Sequence, residues 1–501
     1  TAMVSYIGMI PQELTANGSD LKVVMKEEQG NLDEVVVLGY TSKARKDLTG
    51  SVGSISGAKL AVVPVTSAAV ALQGKIAGVQ VTTVDGAPGA DVNIRVRGAT
   101  SVTQSNEPLY IVDGFEAANI NDVPPSDIAS IDVLKDASLT AIYGAKGANG
   151  VVVVTTKSAQ AGKVTVGINS RLSISHISKT LDMMNTSDFA DYCWDRAAAG
   201  NTRSDAAKYF RNNFGNQSDL DIYQRAPTHD WQDEVMGESP VNYSTNVTIG
   251  GGSEKVKFNS SLTQSEDNGI IMGSGVRRTN LNIKLEVELS KKLTLRINPK
   301  FTYRRDMGAG GDNIGSGGII DVLRYRPTNG LREFAYWDPA TVNPDDEADF
   351  QYTNPKNDIE TNTQKKHSYN YINQFSLDWT PLKGLVLRTD FSHSMTFSDI
   401  NRFYGPLTKK GTDNDNLPFA EITNKRSESY TWTNTGTYGF SLDDMHNFSF
   451  LLGQEISSSQ SKTNYQANRY FPREISSEKA LNNMGLGTAY QSKSSLSTPN
   501  R

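Results

Sequence analysis

The residues able to do chemistry in this chain are two glycine clusters, five histidines, one cysteine and 55 carboxylates. Gly144-x-x-Gly147-x-x-Gly150 has roughly the spacing of a phosphate-cradling loop. Such a loop must run from a strand into a helix, so that backbone N–H groups meet the phosphate. Here it follows a helical stretch and precedes a strand, the reverse order. The run GAGGDNIGSGG (308–318) lacks the Gly-Lys-Ser/Thr that reaches a phosphate and its magnesium. Both clusters read as loop glycines. The histidines are scattered, with no His-x-x-x-His pair to hold zinc. Cys193 stands alone, which excludes an intrachain disulfide and a Cys-x-x-Cys site. There is no Gly-x-Ser-x-Gly elbow. A glycosidase needs two carboxylates about 5–10 Å apart in a cleft, and nothing singles out a pair. The expectation is a protein that is not an enzyme and holds neither cofactor nor metal.

The elements that would carry any function divide near residue 160. Of 20 Tyr, 17 Phe and 5 Trp, only Tyr6, Tyr40, Tyr110, Phe115 and Tyr143 precede that point. The first part is rich in Val, Ala, Gly and Asp, the second in Tyr, Phe, Asn, Ser and Thr. This suits a water-soluble α/β body followed by β-structure with aromatic girdles at a membrane interface. It suits a soluble all-β domain equally well. No stretch approaches the roughly 20 apolar residues of a transmembrane helix, so a membrane-spanning role requires a β-barrel. The 501 residues carry a net charge of −5, with Lys+Arg 50 against Asp+Glu 55, a balance that shows no bias toward nucleic acid.

Strand patterning after residue 160 favours the barrel. Alternating segments fall at about 163–176, 240–250, 255–266, 278–289, 292–305, 367–379, 385–399, 426–440 and 446–460. In LNIKLEVELS (281–290), Leu281, Ile283, Leu285, Val287 and Leu289 share one face, and Asn282, Lys284, Glu286 and Glu288 the other. The connections alternate. Short turns at 250–255, 289–292, 379–385 and 440–446 separate loops of about 62, 11, 61 and 26 residues, as in an up-and-down outer-membrane barrel with short periplasmic turns. Loops above about 12–15 residues are uncommon in compact soluble domains. Nine strands leave such a barrel unfinished, and the chain's end, STPNR, reads as part of a long external loop. The opening TAMVSYIGMI has neither initiator Met nor signal peptide, so sequence upstream is expected.

Residues 1–28 read as two or three strands closing a small sandwich, with MVSYIGM and LKVVMKE on either side of Asn17-Gly18. LDEVVVLGY (32–40) reads either as that sandwich's last strand or as an extended segment able to join the edge of a partner's sheet. Residues 66–160 read as a mixed α/β unit. Thr66-Ser67 caps a helix through AAVALQGKI. Strands follow at Val79–Thr83, Val92–Val96, 108–114, 128–136 and 151–157, with a short helix at 137–143 stopped by Gly144.

Four blocks in this order make the chain recognisable: ALQGKIAGVQV (71–81), NIRVRG (93–98), PLYIVDG (108–114) and IASIDVLKDASLTAIYGAKGANGVVVVTTK (128–157). They resemble the plug of the SusC/RagA family of TonB-dependent outer-membrane transporters. The resemblance implies an α+β plug domain inside a transmembrane antiparallel β-barrel, preceded by the end of a small β-sandwich domain. Residues 1–30 then correspond to the C-terminal part of a carboxypeptidase-regulatory-like domain and 31–45 to TonB box and linker. The plug covers 46–160, and 161–501 form the first part of the barrel with long extracellular loops. LDEVVVLGY lies where the family carries its TonB box, which places that role on Asp33, Glu34, Val35, Val36 and Val37.

The resemblance also implies a function. The family imports nutrient oligomers (glycans, in some members peptides) across the bacterial outer membrane. TonB pulls from the periplasm on proton-motive force, and a SusD-like lipoprotein closes the outside as a lid. Arg95, Arg97, Asp113, Lys135 and Asp136 are placed to make plug-to-wall ion pairs, or else ordinary internal ones. Phe115 and Glu116 are placed toward the substrate cavity. Tyr325, Tyr336, Trp337 and Tyr352 are placed to stack on sugar rings, or else to anchor the rim or fill loop cores. The alternatives are a passive porin or adhesin, which needs neither plug nor TonB box, and a secreted β-rich glycan-binding protein.

Overall fold

The computed structural model describes residues 2–4, 12–14, 35–38, 41–44, 52–63, 65, 67–83, 86–90, 92–96, 98, 106–158, 160–200, 205–237, 239–308, 319–331, 354–442 and 446–498. Near the start, β1 (Ala2–Val4) pairs antiparallel with β2 (Gln12–Leu14). LKVVMKE lies outside the described residues. β3 (Val35–Leu38) pairs with β4 (Thr41–Ala44), Val35 opposite Ala44. The apolar half of LDEVVVLGY is therefore one arm of a hairpin and not a strand of the preceding sheet.

The plug is built on β5 (Val52–Ser56), β6 (Val79–Thr83), β7 (Val92–Val96), β8 (Leu109–Val112), β9 (Phe115–Ala117), β10 (Ile128–Leu134) and β11 (Val151–Thr156). Five of these form one sheet in the order β5-β10-β11-β8-β9, and β6 and β7 form a separate hairpin. The central strands β10 and β11 are covered on both faces, which is why they read as near-continuous apolar runs. Ile131, Val133, Leu134 and Val151–Val154 are all at most 1% exposed. In β7, Val92, Ile94 and Val96 enter the core while Arg95 points away. The helix α1 (Gly57–Ala61) lies so close beneath β10 that a Cβ on Gly57 would stand 1.9 Å from the Ile128 carbonyl oxygen.

Three plug features differ from the sequence reading. The helix expected after Thr66-Ser67 is one turn, α2 (Ala68–Ala71). Beyond it Gly74 and Gly78 take φ of +69° and +74°, which a helix cannot accommodate. The helix expected over 137–143 is α-helical only in α3 (Ala137–Thr140) and continues as 3₁₀ turns through Gly147. Strands β5 and β9 were not anticipated: VGSIS is mostly small residues of the kind that fill loops, and β9 spans only three residues.

After residue 160 the chain forms a single antiparallel wall. Its strands are β12 (Gly162–Ile174), β13 (Val241–Gly252), β14 (Val256–Asn268), β15 (Gly275–Ser290), β16 (Leu293–Ile297), β17 (Lys300–Met307), β18 (Asn362–Leu382), β19 (Leu385–Tyr404), β20 (Phe419–Leu442), β21 (His446–Arg469) and β22 (Thr488–Ser497). Each pairs with its sequence neighbour, and β16 and β17 are halves of one strand, both lying between β15 and β18. The break falls at Asn298-Pro299, where proline has no N–H for the ladder. One expectation needs correcting: the region after 460 is not all loop, because β21 runs to Arg469 and β22 follows. Polar Ser, Lys and Gln on both faces of β22 (TAYQSKSSLS) leave no apolar alternation to read.

The wall's outer face is apolar and exposed, with Val164, Val166, Ile168, Leu172 and Ile174 on β12 alone. Its inner face carries Asn, Ser, Thr, Lys and Arg. At the short-turn end Tyr438, Phe440, Phe448 and Phe450 form an exposed aromatic band, with Phe440 centred 5.3 Å from Phe448 and 6.2 Å from Phe450. Such a band marks a membrane–water interface.

At the other end the long connections fold on themselves. The first holds α4 (Thr186–Ala199), α5 (Asp205–Phe214), a 3₁₀ segment (Gln217–Arg225) and α6 (Trp231–Met236). Asn185 accepts from the Asp188 N–H at 2.9 Å and starts α4. Ala190, Cys193, Ala197, Phe210, Phe214 and Tyr223 make its core. The second connection holds α7 (Ile319–Arg324) and α8 (Pro355–Thr361). The two meet where Trp231, Val235 and Met236 pack on Val322 and Tyr325.

Candidate functional site: the plug–wall interface and lumen cavity

The sequence Val112-Asp113-Gly114-Phe115 dictates a tight hairpin. Asp113 and Gly114 take φ of 54° and 89°, the two positive values of a type I′ turn, which Asp-Gly favours. This turn joins β8 to β9 and pushes the Asp113 carboxylate outward from the plug sheet. Thr156 donates to it from its backbone N–H at 2.9 Å and from its hydroxyl at 2.9–3.0 Å. Two ammonium groups from the wall complete the shell: Lys284 of β15 donates to Oδ1 at 2.8 Å and Lys300 of β17 to Oδ2 at 2.8 Å. Burial alone would push the Asp113 carboxyl up, but the Lys300 and Lys284 ammonium groups outweigh it and hold the group far below the usual carboxylate range. The carboxylate stays ionised, and plug and wall are joined through one buried charge cluster.

A second carboxylate, Asp127, is 5% exposed and meets only neutral wall donors. Asn246 donates to Oδ1 at 2.9 Å, and Ser261 and Asn282 donate to Oδ2 at 2.7 and 2.5 Å. Further wall side chains hold plug backbone carbonyls. Arg171 reaches Val63 at 2.7 Å, Arg278 reaches Asn121 at 3.0 Å, Asn280 reaches Asp122 at 2.8 Å and Arg304 reaches Gly89 at 2.8 Å. These donors come from β12, β15 and β17 and, with Asn246, Ser261 and Lys300, show that the wall wraps around the plug. Beside the junction, with Thr156 and Lys300 on its lining, a cavity of about 560 Å³ opens between the plug and β17–β21. Phe115, Glu116, Tyr143 and Lys146 line its plug side, and Asn370, Gln374, Ser392, Thr396, Thr433 and Glu455 its wall side.

The residues singled out from sequence fall in different places. Asp113 lies at the plug–wall junction. Phe115 and Glu116 line the cavity, with Glu116 accepting from Lys146 at 2.7 Å and Lys146 lying 3.7 Å from Glu455 of the wall. That bond to Glu116 raises the Lys146 pKa. Lys135 differs from expectation: its ammonium bonds the Ala77 carbonyl within the plug, because it leaves β10 on the side facing the 72–78 turns. The backbone carbonyl of Asp136 accepts from the Leu139 and Thr140 N–H groups at 3.0 Å to start α3. Arg95 is exposed on the outer face of the β6–β7 hairpin and makes no ion pair among the described residues. Tyr325 is 8% exposed in the loop core, its ring edge-on to Trp231 at 5.2 Å, so it offers no face to a sugar. Asp33, Glu34, Arg97, Tyr336, Trp337 and Tyr352 lie outside the described residues, as do the side chains of Val35, Val36 and Val37.

Sequence reasoning missed Asp127, Lys284, Lys300, Arg171 and Arg278. The signal for the lysines was present. Lys284 stands on the polar face of LNIKLEVELS, and a charge at an inward position of a barrel strand must meet either water or plug.

Residues 44–151 match the TonB-dependent Receptor Plug Domain family. The TonB-dependent receptor P26 of Formosa agariphila is 36% identical over 406 residues, 80% of this chain and 39% of that protein. The TonB-dependent receptor SusC of Bacteroides thetaiotaomicron is 31% identical over 404 residues, 75% of this chain and 38% of that protein. The RagAB peptide importer in its open-open state shares the fold, with a TM-score of 0.72 over 93% of this chain and 53% of that one at 24% identity. The chain thus spans less than half the length of these two relatives. An α/β plug seated inside an up-and-down strand wall defines the class: a plugged β-barrel of the outer membrane, of the TonB-dependent receptor kind. Within it, the chain belongs to the SusC/RagA-type TonB-dependent transporters.

Proposed function

We propose that this chain supplies the plug and the first barrel strands of an active importer of nutrient oligomers, glycan or peptide. A SusD-like surface lipoprotein closes it from outside, and TonB drives it from the periplasm. One observation carries the reading: the plug is folded, and buried carboxylates bind it to the inner wall. A passive porin has no use for such an obstruction, and passage requires that it be remodelled by an external source of work. The segment Asp33–Val37 is the handle in this reading. It is short, precedes the plug core, and its described part pairs only with β4, so it can detach without unfolding the body. TonB would take it by strand addition. The sheet of β1 and β2 fits the end of a carboxypeptidase-regulatory-like domain. Deleting Asp33–Val37 from the full-length protein should abolish growth on the cognate nutrient while the barrel still reaches the outer membrane. Undiminished uptake would overturn the assignment. Co-purification from detergent-solubilised membrane should recover a surface lipoprotein, and its absence would argue against the lid.

A further inference from the structure

The inner wall above the plug is strongly basic. Parity along the continuous registers fixes which residues face inward: Ser392, Thr396, Thr433 and Glu455 line the cavity, and positions an even number of residues away share their face. From there toward the long-loop rim, the inward positions of β18–β22 hold Lys366, Arg402, Lys425, Arg469 and Lys493, against Glu421, with Lys366 lying 3.9 Å from Asp306 of the neighbouring β17. Lys410, in the connection between β19 and β20, adds a further cation over the same rim. Glu421 is shared by Lys410, which hydrogen-bonds it, and Arg402 at 3.6 Å. Lys425, Arg469 and Lys493 form no ion pair among the described residues.

Aromatic rings hold two of these cations in place. The Lys410 ammonium lies 4.5 Å from the Tyr404 ring centre and 4.3 Å from that of Phe419. The Arg469 guanidinium lies 4.6 Å from the Tyr470 ring and 5.0 Å from Tyr490. Phe419 and Tyr490 meet edge-on at 5.6 Å, which joins the two pairs into one cluster. A cation on a ring face is stabilised without being neutralised. Arg469, which forms no ion pair among the described residues, is therefore fixed in position and left available to an anion, whereas Lys410 is already paired with Glu421. Rings of Lys and Arg select anions at pore mouths by the same means. Below the cluster the cavity wall offers short hydroxyl and amide side chains, including Asn370, Gln374, Ser392 and Thr433. These match sugar hydroxyls, while Leu109, Ile111, Phe115 and Ile142 make the plug side of the cavity apolar, and the exposed ring of Tyr490 offers a surface for a pyranose.

We propose that this rim is a binding site for an anionic glycan, an oligosaccharide bearing carboxylate or sulfate groups; the inference rests on the importer reading and narrows its cargo. Purified full-length protein in detergent would be titrated calorimetrically with oligogalacturonate, a heparin-derived hexasaccharide, maltohexaose and hexaglutamate. At least one acidic glycan should bind, and its affinity should fall by roughly tenfold or more between about 50 and about 300 mM salt, as screening predicts. The two glycans distinguish carboxylate from sulfate recognition. A K425Q/K493Q double variant should weaken binding by roughly tenfold, a change of about 1.4 kcal/mol, while keeping the heat-modifiable migration of a folded barrel. Equal binding of maltohexaose, preference for hexaglutamate, unchanged affinity of the variant, or no binding by either acidic glycan would overturn the proposal. The uptake phenotype of the Asp33–Val37 deletion is scored separately. An importer that needs this segment but ignores acidic glycans refutes only the cargo, and acidic-glycan binding with uptake independent of the segment refutes only the importer.

Discussion

Lys300 of the barrel wall stands 2.8 Å from Asp113 at the tip of a plug hairpin, both side chains nearly closed to solvent at 13% and 6% exposure. Removing one partner of such a pair strands a charge in low dielectric and costs about 3–5 kcal/mol. Asp113→Asn keeps the turn, because asparagine tolerates the left-handed conformation, and it retains an acceptor for Thr156. It should nevertheless loosen the plug by about that amount, since Lys284 and Lys300 are left facing each other. Urea-dependent tryptic cleavage of the plug in detergent would measure the loss, and an unshifted midpoint would refute the latch.

The same cluster fixes a pH dependence. A seated Asp113 has a depressed pKa, and a released one returns to about 3.9. Its contribution is therefore complete above about pH 4 and is lost as the pH falls toward the seated value, because only the released form takes up a proton there. Plug release should be flat from neutral pH to about 5 and should rise below about 4. Asp113→Asn should abolish the acid-dependent part.

Asp127 predicts a different signature. Asp127→Ala leaves the Ser261 and Asn282 donors without this acceptor, while Asn246 keeps its bond to the Thr263 hydroxyl, a cost of roughly 1–3 kcal/mol for an unsatisfied buried group. No ammonium is stranded, so the loss should be smaller than for Asp113→Asn and nearly independent of salt. The same cleavage assay at two ionic strengths separates the two.

Cys193 reports on the helical connection between β12 and β13. Burial pushes its thiol up to about 12, so it stays protonated and enclosed at neutral pH. Maleimide should fail to label the native protein. Trp231→Ala removes the indole packed on Tyr325 and its 2.8 Å bond to the Arg326 carbonyl, which should destabilise the loop body by about 3–5 kcal/mol. Faster Cys193 labelling in a barrel that still migrates as folded is the expected result.

The outer face makes the last prediction. Ile168 is 73% exposed in the middle of β12. In lipid, Ile168→Arg should cost about 2–4 kcal/mol. In a water-facing sheet it would cost almost nothing, so refolding into liposomes decides the matter.

Much of this protein was legible in its residues. Period two in LNIKLEVELS fixed which side of β15 faces lipid, because a strand alternates its faces regardless of context. Short turns alternating with long connections gave the up-and-down order, and the strand at 151–157 was readable from its run of valines. The strand at 108–114 was legible as well, without any partner for the carboxylate of Asp113 at its end.

Tertiary structure decided which charges meet. Lys284 and Lys300 lie 171 and 187 residues from Asp113 along the chain, a separation that no local pattern encodes. Lys135 and Asp113 look alike as plug charges, yet one turns inward to a carbonyl of Ala77 and the other outward to the wall. Tyr325 looked available in a polar loop until Trp231, from another connection, closed over it. The tenth strand was hidden because β22 is polar on both faces, and pairing with β21 alone makes it a strand. Local sequence sets the period and turn of each element, whereas the burial that gives a charge or a ring its role depends on what the rest of the chain packs against it.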